Sequence, residues 1–293
     1  MKACMYSGLM SLMRDQGVDF AANYAKEAGF DSVELIEILK PDRQKYEMLL
    51  CEDRLDDLRN AFEKRELPIS CFSVALSLYA LGVDLTCPSP MTEPLLRMAR
   101  FAKALGAPYF HHTVVLNCNQ DVHARSLPYE RIRDYLIENA CRVADACNRL
   151  GMTVLYEPQG YYINGIEQFG DFYYAVKAKG VDVGVCGDVG NTLFADTPPT
   201  AFFETYAHEM RHVHFKDYQV ATSGEHTPNA FSLQGTGLCE VPLGTGIVDF
   251  DACMKLLRAV GYHGAISLEG SFHPLKEIAQ YRQDVAFLRQ CLS

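Results

Sequence analysis

The sequence lacks the features that define several large classes of protein. It has no apolar stretch near the roughly 18 to 20 residues that a membrane helix needs, and residues 1–10 lack the basic segment and apolar run of a signal peptide. It carries only 27 basic residues against 37 acidic ones, a net charge of −10, which opposes binding to a phosphate backbone. We therefore expect a cytoplasmic protein that binds neither a membrane nor nucleic acid.

Two further absences narrow the fold. None of the eleven cysteines forms a Cys-x-x-Cys pair, and several lie inside apolar runs, so we expect free thiols in a reducing compartment and no zinc ribbon. Residues 5–11, after the first predicted strand, contain only Gly8, whereas a doubly wound nucleotide-binding sheet carries a glycine-rich phosphate loop there. The sequence therefore disfavours the open, doubly wound sheet.

Short strand-like runs alternate along the chain with longer amphipathic helices. The strand pattern occurs eight times, at residues 2–8, 32–37, 68–74, 109–116, 153–160, 183–191, 212–217 and 265–270. Several of the intervening helices end in a glycine, the residue that most readily adopts the left-handed conformation that closes a helix. Eight βα units in 293 residues predict a single (β/α)8 TIM barrel of the α/β class, with one domain over residues 1–293.

The candidate active-site residues lie at the C-terminal ends of the predicted strands, where such barrels place their chemistry. The last four strand ends offer one metal-ligand candidate each: Glu157, Asp188, His214 and Glu269. Each of them alone is equally well explained as a helix cap or a solvated loop charge. Three carboxylates that converge on one point would repel one another unless a cation lies between them. This oxygen-rich set favours Mn²⁺, Mg²⁺ or Co²⁺ over structural zinc.

Other polar residues near these strand ends are candidates for substrate contacts. His212 precedes His214 by two residues and points the same way on a strand, so one is expected to be a ligand and the other a neighbour deeper in the barrel. Of the adjacent His111 and His112, only one can face the barrel, and we favour His112 as a substrate or proton-relay residue over a structural histidine. Lys216 is interpreted as a ligand of a substrate oxygen, with an ion pair to a site carboxylate as the alternative.

Four motifs in the C-terminal half carry a resemblance to a known family: Gly187-Asp188-Val189-Gly190-Asn191, His212-Val213-His214-Phe215-Lys216-Asp217, Leu243-Gly244-Thr245-Gly246 and Ser267-Leu268-Glu269. On these motifs the chain resembles the xylose isomerase-like superfamily of TIM barrels, in particular the branch with tagatose and ribulose 3-epimerases, hydroxypyruvate isomerase and inosose dehydratase. The resemblance implies that Glu157, Asp188, His214 and Glu269 hold one divalent cation and that Glu157 and Glu269 transfer the protons. It also allows for a homo-oligomer, since relatives often form dimers or tetramers.

The chain departs from the pattern of the epimerases at two positions. Asn191 stands where several of them have a histidine, and Glu157-Pro158-Gln159 stands where many relatives have Glu-Asn-His. We therefore expect different substrate contacts, with Gln159 and Asn191 as candidates for binding sugar hydroxyls. Capping of the next helix is the alternative role for Asn191.

The function predicted from these features is a metal-dependent sugar isomerase or 3-epimerase. It would act on a ketose or related keto-sugar by removing a proton next to the carbonyl and forming an enediolate, with Mn²⁺ as the expected metal. The first alternative is a lyase on the same scaffold, either similar to inosose dehydratase or cleaving a 3-oxo-glycoside by elimination. Residues 117–127 and 218–248 are interpreted as long loops that cover the site.

Two other functions are less consistent with the sequence. A hydrolase similar to AP endonuclease IV would need additional histidine ligands for three zinc ions, and predicted strand three has none, while Asn191 replaces another. A noncatalytic sugar-binding barrel would not need both Glu157 and Glu269.

Overall fold

The eight predicted strands form the wall of a closed barrel. The computed structural model describes residues 1–38, 50, 52–115, 119–222, 227–270 and 274–293. The barrel strands are β1 (Lys2–Met5), β2 (Ser32–Ile38), β3 (Ile69–Ala75), β4 (Tyr109–His112), β5 (Thr153–Tyr156), β6 (Val183–Asp188), β7 (Met210–Phe215) and β11 (Ala265–Leu268). All neighbours are parallel, and β1 pairs with both β2 and β11, so the sheet closes on itself. The predicted (β/α)8 barrel is therefore confirmed; residue 116, the predicted end of the fourth strand, lies outside the described residues.

Helices connect the barrel strands and cover their outer face. They are α1 (Leu9–Gln16), α2 (Val18–Glu27), α3 (Leu55–Glu63), α4 (Thr92–Ala104), α5 (Gln120–Arg125), α6 (Tyr129–Arg149), α7 (Glu167–Lys177), α8 (Pro199–Tyr206), α9 (Phe250–Ala259) and α10 (Ile278–Leu292). In α6, Ile132, Leu136, Val143 and Cys147 recur at helical spacing and are fully buried against the barrel. Each Å² of apolar surface that is buried contributes about 25 cal/mol, and this burial holds such a helix on the sheet. None of the helices in the described ranges is long and apolar enough to cross a membrane.

The glycines that the sequence marks as helix ends have the expected backbone conformation. Gly29, Gly106, Gly151, Gly180 and Gly261 all have positive φ angles, between 69° and 91°. A side chain would be strained at these positions, so each glycine fixes the point where a helix stops and the chain turns into the next strand.

The barrel interior differs from the apolar layer between the strands and the helices. Its middle contains a small separate cluster of Cys71, Leu155 and Cys186. Beyond it, towards the C-terminal ends of the strands, the inward positions are polar, because successive strand residues alternate between the two faces. Many TIM barrels instead fill this space with branched apolar residues. The polar interior positions side chains for the site described below.

Residues 218–248 contain more regular structure than the loop that the sequence predicted. The strands β8 (Asp217–Val220), β9 (Ala230–Phe231) and β10 (Gly237–Val241) form a small antiparallel sheet in the order β8, β10, β9. The Asp217 carboxylate anchors this sheet by accepting four backbone N–H groups, from Tyr218, Gly244, Gly246 and Val248. The other predicted loop, 117–127, contains helix α5, and residues 117–118 lie outside the described ones.

Candidate metal centre and active site

The four predicted ligand residues meet at one point. Glu157 follows β5, Asp188 ends β6, His214 lies near the end of β7 and Glu269 follows β11. One ligand atom from each lies within 4.8 Å of those of the other three. Asp188 and His214 are register partners on adjacent strands. The barrel geometry therefore brings together side chains from a stretch of the sequence that runs from Glu157 to Glu269.

The Nδ1 atom of His214 lies at the centre of the three carboxylates. It is 3.0 Å from Glu157 Oε1, 2.9 Å from Glu269 Oε2 and 3.9 Å from Asp188 Oδ2. One imidazole nitrogen can donate only one hydrogen, so it cannot satisfy three carboxylates. Carboxylate oxygens and an imidazole nitrogen that face a common point are the donor set of a divalent cation.

Backbone groups fix the orientation of Asp188. Its Oδ1 accepts the N–H groups of Gly190 at 2.7 Å and Asn191 at 2.6 Å. This local turn leaves Oδ2 directed at the cluster, 3.0 Å from Lys216 Nζ. The Gly-Asp-Val-Gly-Asn sequence thus supplies both the candidate ligand Asp188 and the two N–H groups that orient it.

Lys216 forms an ion pair with two of the candidate ligands. Its Nζ lies 3.0 Å from Asp188 Oδ2 and 2.9 Å from Glu269 Oε1. Its alkyl chain passes so close to Gly190 that a Cβ at that position would lie 2.5 Å from Lys216 Cγ. The ion pair that the sequence left as an alternative for Lys216 is therefore present, and the lysine also lines the cavity described below.

Burial and charge shift the ionisation of these groups in opposite directions. Burial, with the charges of Glu269 and Glu157, holds the pKa of Asp188 well above its ordinary value, although Lys216 acts against this. Burial would also raise the pKa of Glu269, but Lys216 and His214 outweigh it and lower that pKa. Burial would lower the pKa of His214, but Cys186, Glu34 and Glu269 outweigh it and raise that pKa well above its usual value. Three carboxylates that share one imidazole and one ammonium form a donor set that fits one divalent cation.

Sequence reasoning missed a buried carboxylate beneath the cluster. Glu34 on β2 is fully buried, and its oxygens lie 2.7 Å from His212 Nε2 and 3.0 Å from His214 Nε2. The hydroxyls of Ser73 and Ser267 donate to it at 2.5 and 2.6 Å. The signal in the sequence was a charged residue inside the otherwise apolar run of β2. Ser32 and Glu34 are two residues apart, so both point to the same face of the strand.

The structure brings His111 to the cluster in place of His112. His111 Nε2 lies 3.4 Å from Glu157 Oε2, and His111 Nδ1 lies 3.1 Å from Ser73 Oγ. His112 points the other way, packs edge-on against the Tyr156 ring, and approaches the Thr113 carbonyl through Nδ1. The prediction chose the wrong one of two adjacent residues, because alternation fixes that they point apart but not which of them faces inward.

The remaining predicted substrate contacts are His212, Asn191 and Gln159, and they differ in how deeply they are buried. His212 is completely buried and contacts Glu34 and Ser267, which places it deeper in the barrel than His214. The Asn191 side chain does not cap the short helix that follows, and its Nδ2 is buried without a hydrogen-bond partner among the described residues. The Gln159 Oε1 atom is likewise buried and unpartnered within the described part of the chain. Asn191 and Gln159 therefore retain hydrogen-bonding capacity.

A cavity of about 360 Å³ opens onto the cluster. Its wall includes Tyr6, Ile36, Lys216, Tyr218, Glu240 and Glu269. The Tyr6 ring stacks on the His214 ring, with centroids 5.1 Å apart and planes 19° apart. A cavity of this size accommodates a small polar molecule next to the candidate ligands.

Comparison with known proteins identifies the family of this barrel. The family model for the xylose isomerase-like TIM barrel matches residues 22–291. Inosose dehydratase of Lacticaseibacillus casei is 27% identical over 139 residues, which is 46% of this chain and 46% of that relative. The match therefore spans about half the length of each protein.

Two solved structures share the whole fold. The IOLI protein with a bound zinc atom is 18% identical, with a TM-score of 0.71 over 100% of this chain and 96% of that one. L-ribulose 3-epimerase is 16% identical, also with a TM-score of 0.71, over 99% of this chain and 94% of that one. At these identities the two similarities show a common fold.

The closed barrel, with its polar cluster at the C-terminal strand ends, defines a (β/α)8 protein of the kind that places an active site at this face. Within that class, the chain belongs to the xylose isomerase-like TIM barrel family, because the family model matches almost its full length.

Proposed function

We propose that this protein is a divalent-metal-dependent sugar isomerase or 3-epimerase that acts on a ketose or related keto-sugar. The observation that carries the proposal is the approach of Glu157 and Glu269 to the same imidazole nitrogen from two different strands, β5 and β11. Two carboxylates that reach one point from different directions suit removal of a proton on one side of a carbon and its return on another.

The cation would be held by Glu157, Asp188, His214 and Glu269, and Mn²⁺ is the metal that we favour for this oxygen-rich set. When bound, it would polarise a substrate carbonyl and the adjacent hydroxyl and so acidify the neighbouring C–H group. The lowered pKa values of Glu157 and Glu269 keep both carboxylates ionised at neutral pH, as a base requires. Lys216, whose Nζ lies 2.9 Å from Glu269 Oε1, fixes the orientation of that carboxylate.

Dehydration on the same scaffold is the second candidate function. The observation that favours it is the Lys216 ammonium in the cavity wall, because an acid beside the proton-abstracting carboxylate can protonate a departing hydroxyl. The partial match to inosose dehydratase points the same way. A product that has lost one water, as an enone or as the dicarbonyl tautomer of an enol, would distinguish this lyase from an epimerase, whose product keeps the formula of the substrate.

A neutral, unphosphorylated sugar is the substrate class that we favour. Among the described residues of the cavity wall, the charged side chains are Lys216, Glu240 and Glu269, and Lys216 already pairs with Glu269. This wall offers a phosphate group little positive charge. The overall charge of −10 argues in the same direction against nucleic acid.

The test is deuterium uptake from D₂O by a panel of free ketoses, inososes and 3-oxo-glucosides. Each substrate is incubated with Mn²⁺-loaded protein, the metal and protein are removed, and ¹H NMR measures the loss of the C–H signal next to the carbonyl. We expect exchange with at least one class and its loss, by 100-fold or more, in Glu157→Gln and Glu269→Gln. Glu167→Gln, an isosteric change on the exposed face of α7, is the matched control and should exchange like the wild type. Tight Mn²⁺ binding without exchange in any class would refute the proposed function.

A further inference from the structure

Glu34 is a buried carboxylate surrounded by donors from three other strands. Ser73 on β3 and Ser267 on β11 donate their hydroxyl hydrogens to it, and His212 and His214 on β7 present Nε2 atoms to it. These contacts are 2.5 to 3.1 Å long. Isolated ionised carboxylates are rarely left in a protein core, and each of these donors lowers the cost of this one.

The two nitrogens of His214 face different partners. Nε2 lies 3.0 and 3.1 Å from the two oxygens of Glu34, and Nδ1 faces Glu157 and Glu269. A histidine that donates from one ring nitrogen to a carboxylate presents a lone pair at the other nitrogen when the ring is neutral. Glu34 therefore contacts the side of the ring that the candidate cation site does not use.

Two aromatic contacts restrict rotation of the same ring. Tyr6 stacks on one face of His214, and the His212 ring meets it edge-on, with centroids 5.4 Å apart and planes 90° apart. His212 in turn contacts Glu34 and Ser267. Glu34 therefore confines the His214 ring in two ways, by its own contact with Nε2 and by holding the His212 ring that packs against it.

We propose that Glu34 is a positioning residue for the cation site: its carboxylate accepts the Nε2–H of His214 and so holds that ring with the Nδ1 lone pair directed between Glu157, Asp188 and Glu269. This inference rests on the proposed function only in requiring that the cluster bind a cation. Residues that orient a ligating histidine in this way generally contribute 10- to 100-fold to metal affinity.

The test measures metal affinity without any substrate. Isothermal titration with Mn²⁺ compares the wild type with Glu34→Gln. This variant keeps the size of the side chain, but an amide replaces the carboxylate that receives four donors. We expect Kd for Mn²⁺ to rise about 10- to 100-fold in Glu34→Gln. The matched control is Asp284→Asn, a carboxylate-to-amide change at another buried carboxylate, which accepts the Leu243 N–H and contacts none of the candidate ligands in the described structure. It should leave Kd unchanged. Wild-type affinity in a folded Glu34→Gln protein would overturn the proposal.

A second measurement does not depend on the variant folding. In the Zn²⁺-loaded wild type, ¹⁵N–¹H correlation spectra of labelled histidines should show a hydrogen on Nε2 of His214 that exchanges slowly with water. A hydrogen on Nδ1 instead, or none on Nε2, would overturn the proposal. The two proposals can fail independently. If metal affinity depends on Glu34 but no deuterium exchange is seen, the positioning role is supported and the sugar chemistry is refuted.

Discussion

Replacement of Lys216 by methionine should make the stability of this protein depend strongly on metal. The Lys216 ammonium is buried and pairs with Asp188 and Glu269 at 3.0 and 2.9 Å. Methionine keeps most of the volume and removes the charge, so the buried Asp188 and the half-buried Glu269 lose their cation. Loss of one partner from a buried pair costs about 3 to 5 kcal/mol, and the raised pKa of Asp188, which eases its protonation, favours the lower end.

The expected shift in melting temperature follows from the size of the chain. With about 2.1 cal/mol/K of unfolding entropy per residue, 293 residues give about 0.6 kcal/mol/K, so 3 kcal/mol corresponds to roughly 5 °C. Mn²⁺ should restore most of this loss, because a dication replaces the missing positive charge and no longer meets a repelling ammonium. The increase in melting temperature on adding Mn²⁺ should therefore be several degrees larger in Lys216→Met than in the wild type.

Differential scanning calorimetry in EDTA and in excess Mn²⁺ measures both quantities. Lys177→Met is the matched control, since Lys177 pairs with Glu209 outside the cluster and its loss should not respond to metal. An unchanged melting temperature of metal-free Lys216→Met, or equal Mn²⁺ increments in variant and wild type, would refute the electrostatic account of the site.

Three other variants test parts of the structure independently. Burial raises the pKa of Asp284 from 3.8 to about 6, so the folded protein binds this proton more tightly than the unfolded chain and loses stability as pH rises through that interval. Asp284→Asn should therefore be more stable than the wild type at pH 8, by at most about 3 kcal/mol, and show no such gain near pH 4 in urea denaturation. His111→Asn should lower the deuterium exchange rate at least 10-fold because it alters the environment of Glu157. His112→Asn should change thermal stability and leave Mn²⁺ affinity intact. The reverse pattern would show that His112, and not His111, acts on the cluster.

The sequence was sufficient to predict the barrel and the convergence of its candidate ligands. Eight apolar runs with intervening amphipathic helices have few other ways to bury their surfaces, and closure of the barrel then brings the last four strand ends together. The contacts of Glu34 were not predictable in the same way. They depend on the register between β2, β3, β7 and β11, which no local pattern encodes. For the same reason, the sequence could not distinguish His111 from His112.

The small antiparallel sheet was missed for a different physical reason. Its segment is rich in glycine, threonine and serine, and its strands are two to five residues long, so neither hydrophobic alternation nor length separates them from a loop. The sheet forms because Asp217 gathers backbone N–H groups from both sides of it, a long-range effect of one carboxylate.

The anchoring of that sheet has a consequence for how substrate preference can change in this architecture. Tyr218 and Glu240, which contribute to the cavity wall, belong to β8 and β10. The candidate ligands belong to the barrel, and Asp217, next to Lys216, anchors the sheet together with the Tyr161 hydroxyl, which donates to the Phe231 carbonyl. Substitutions within β8 and β10 can therefore alter the shape and charge of the wall while the ligands stay in place. An engineer who seeks a new sugar specificity should diversify this sheet and leave Asp217 untouched.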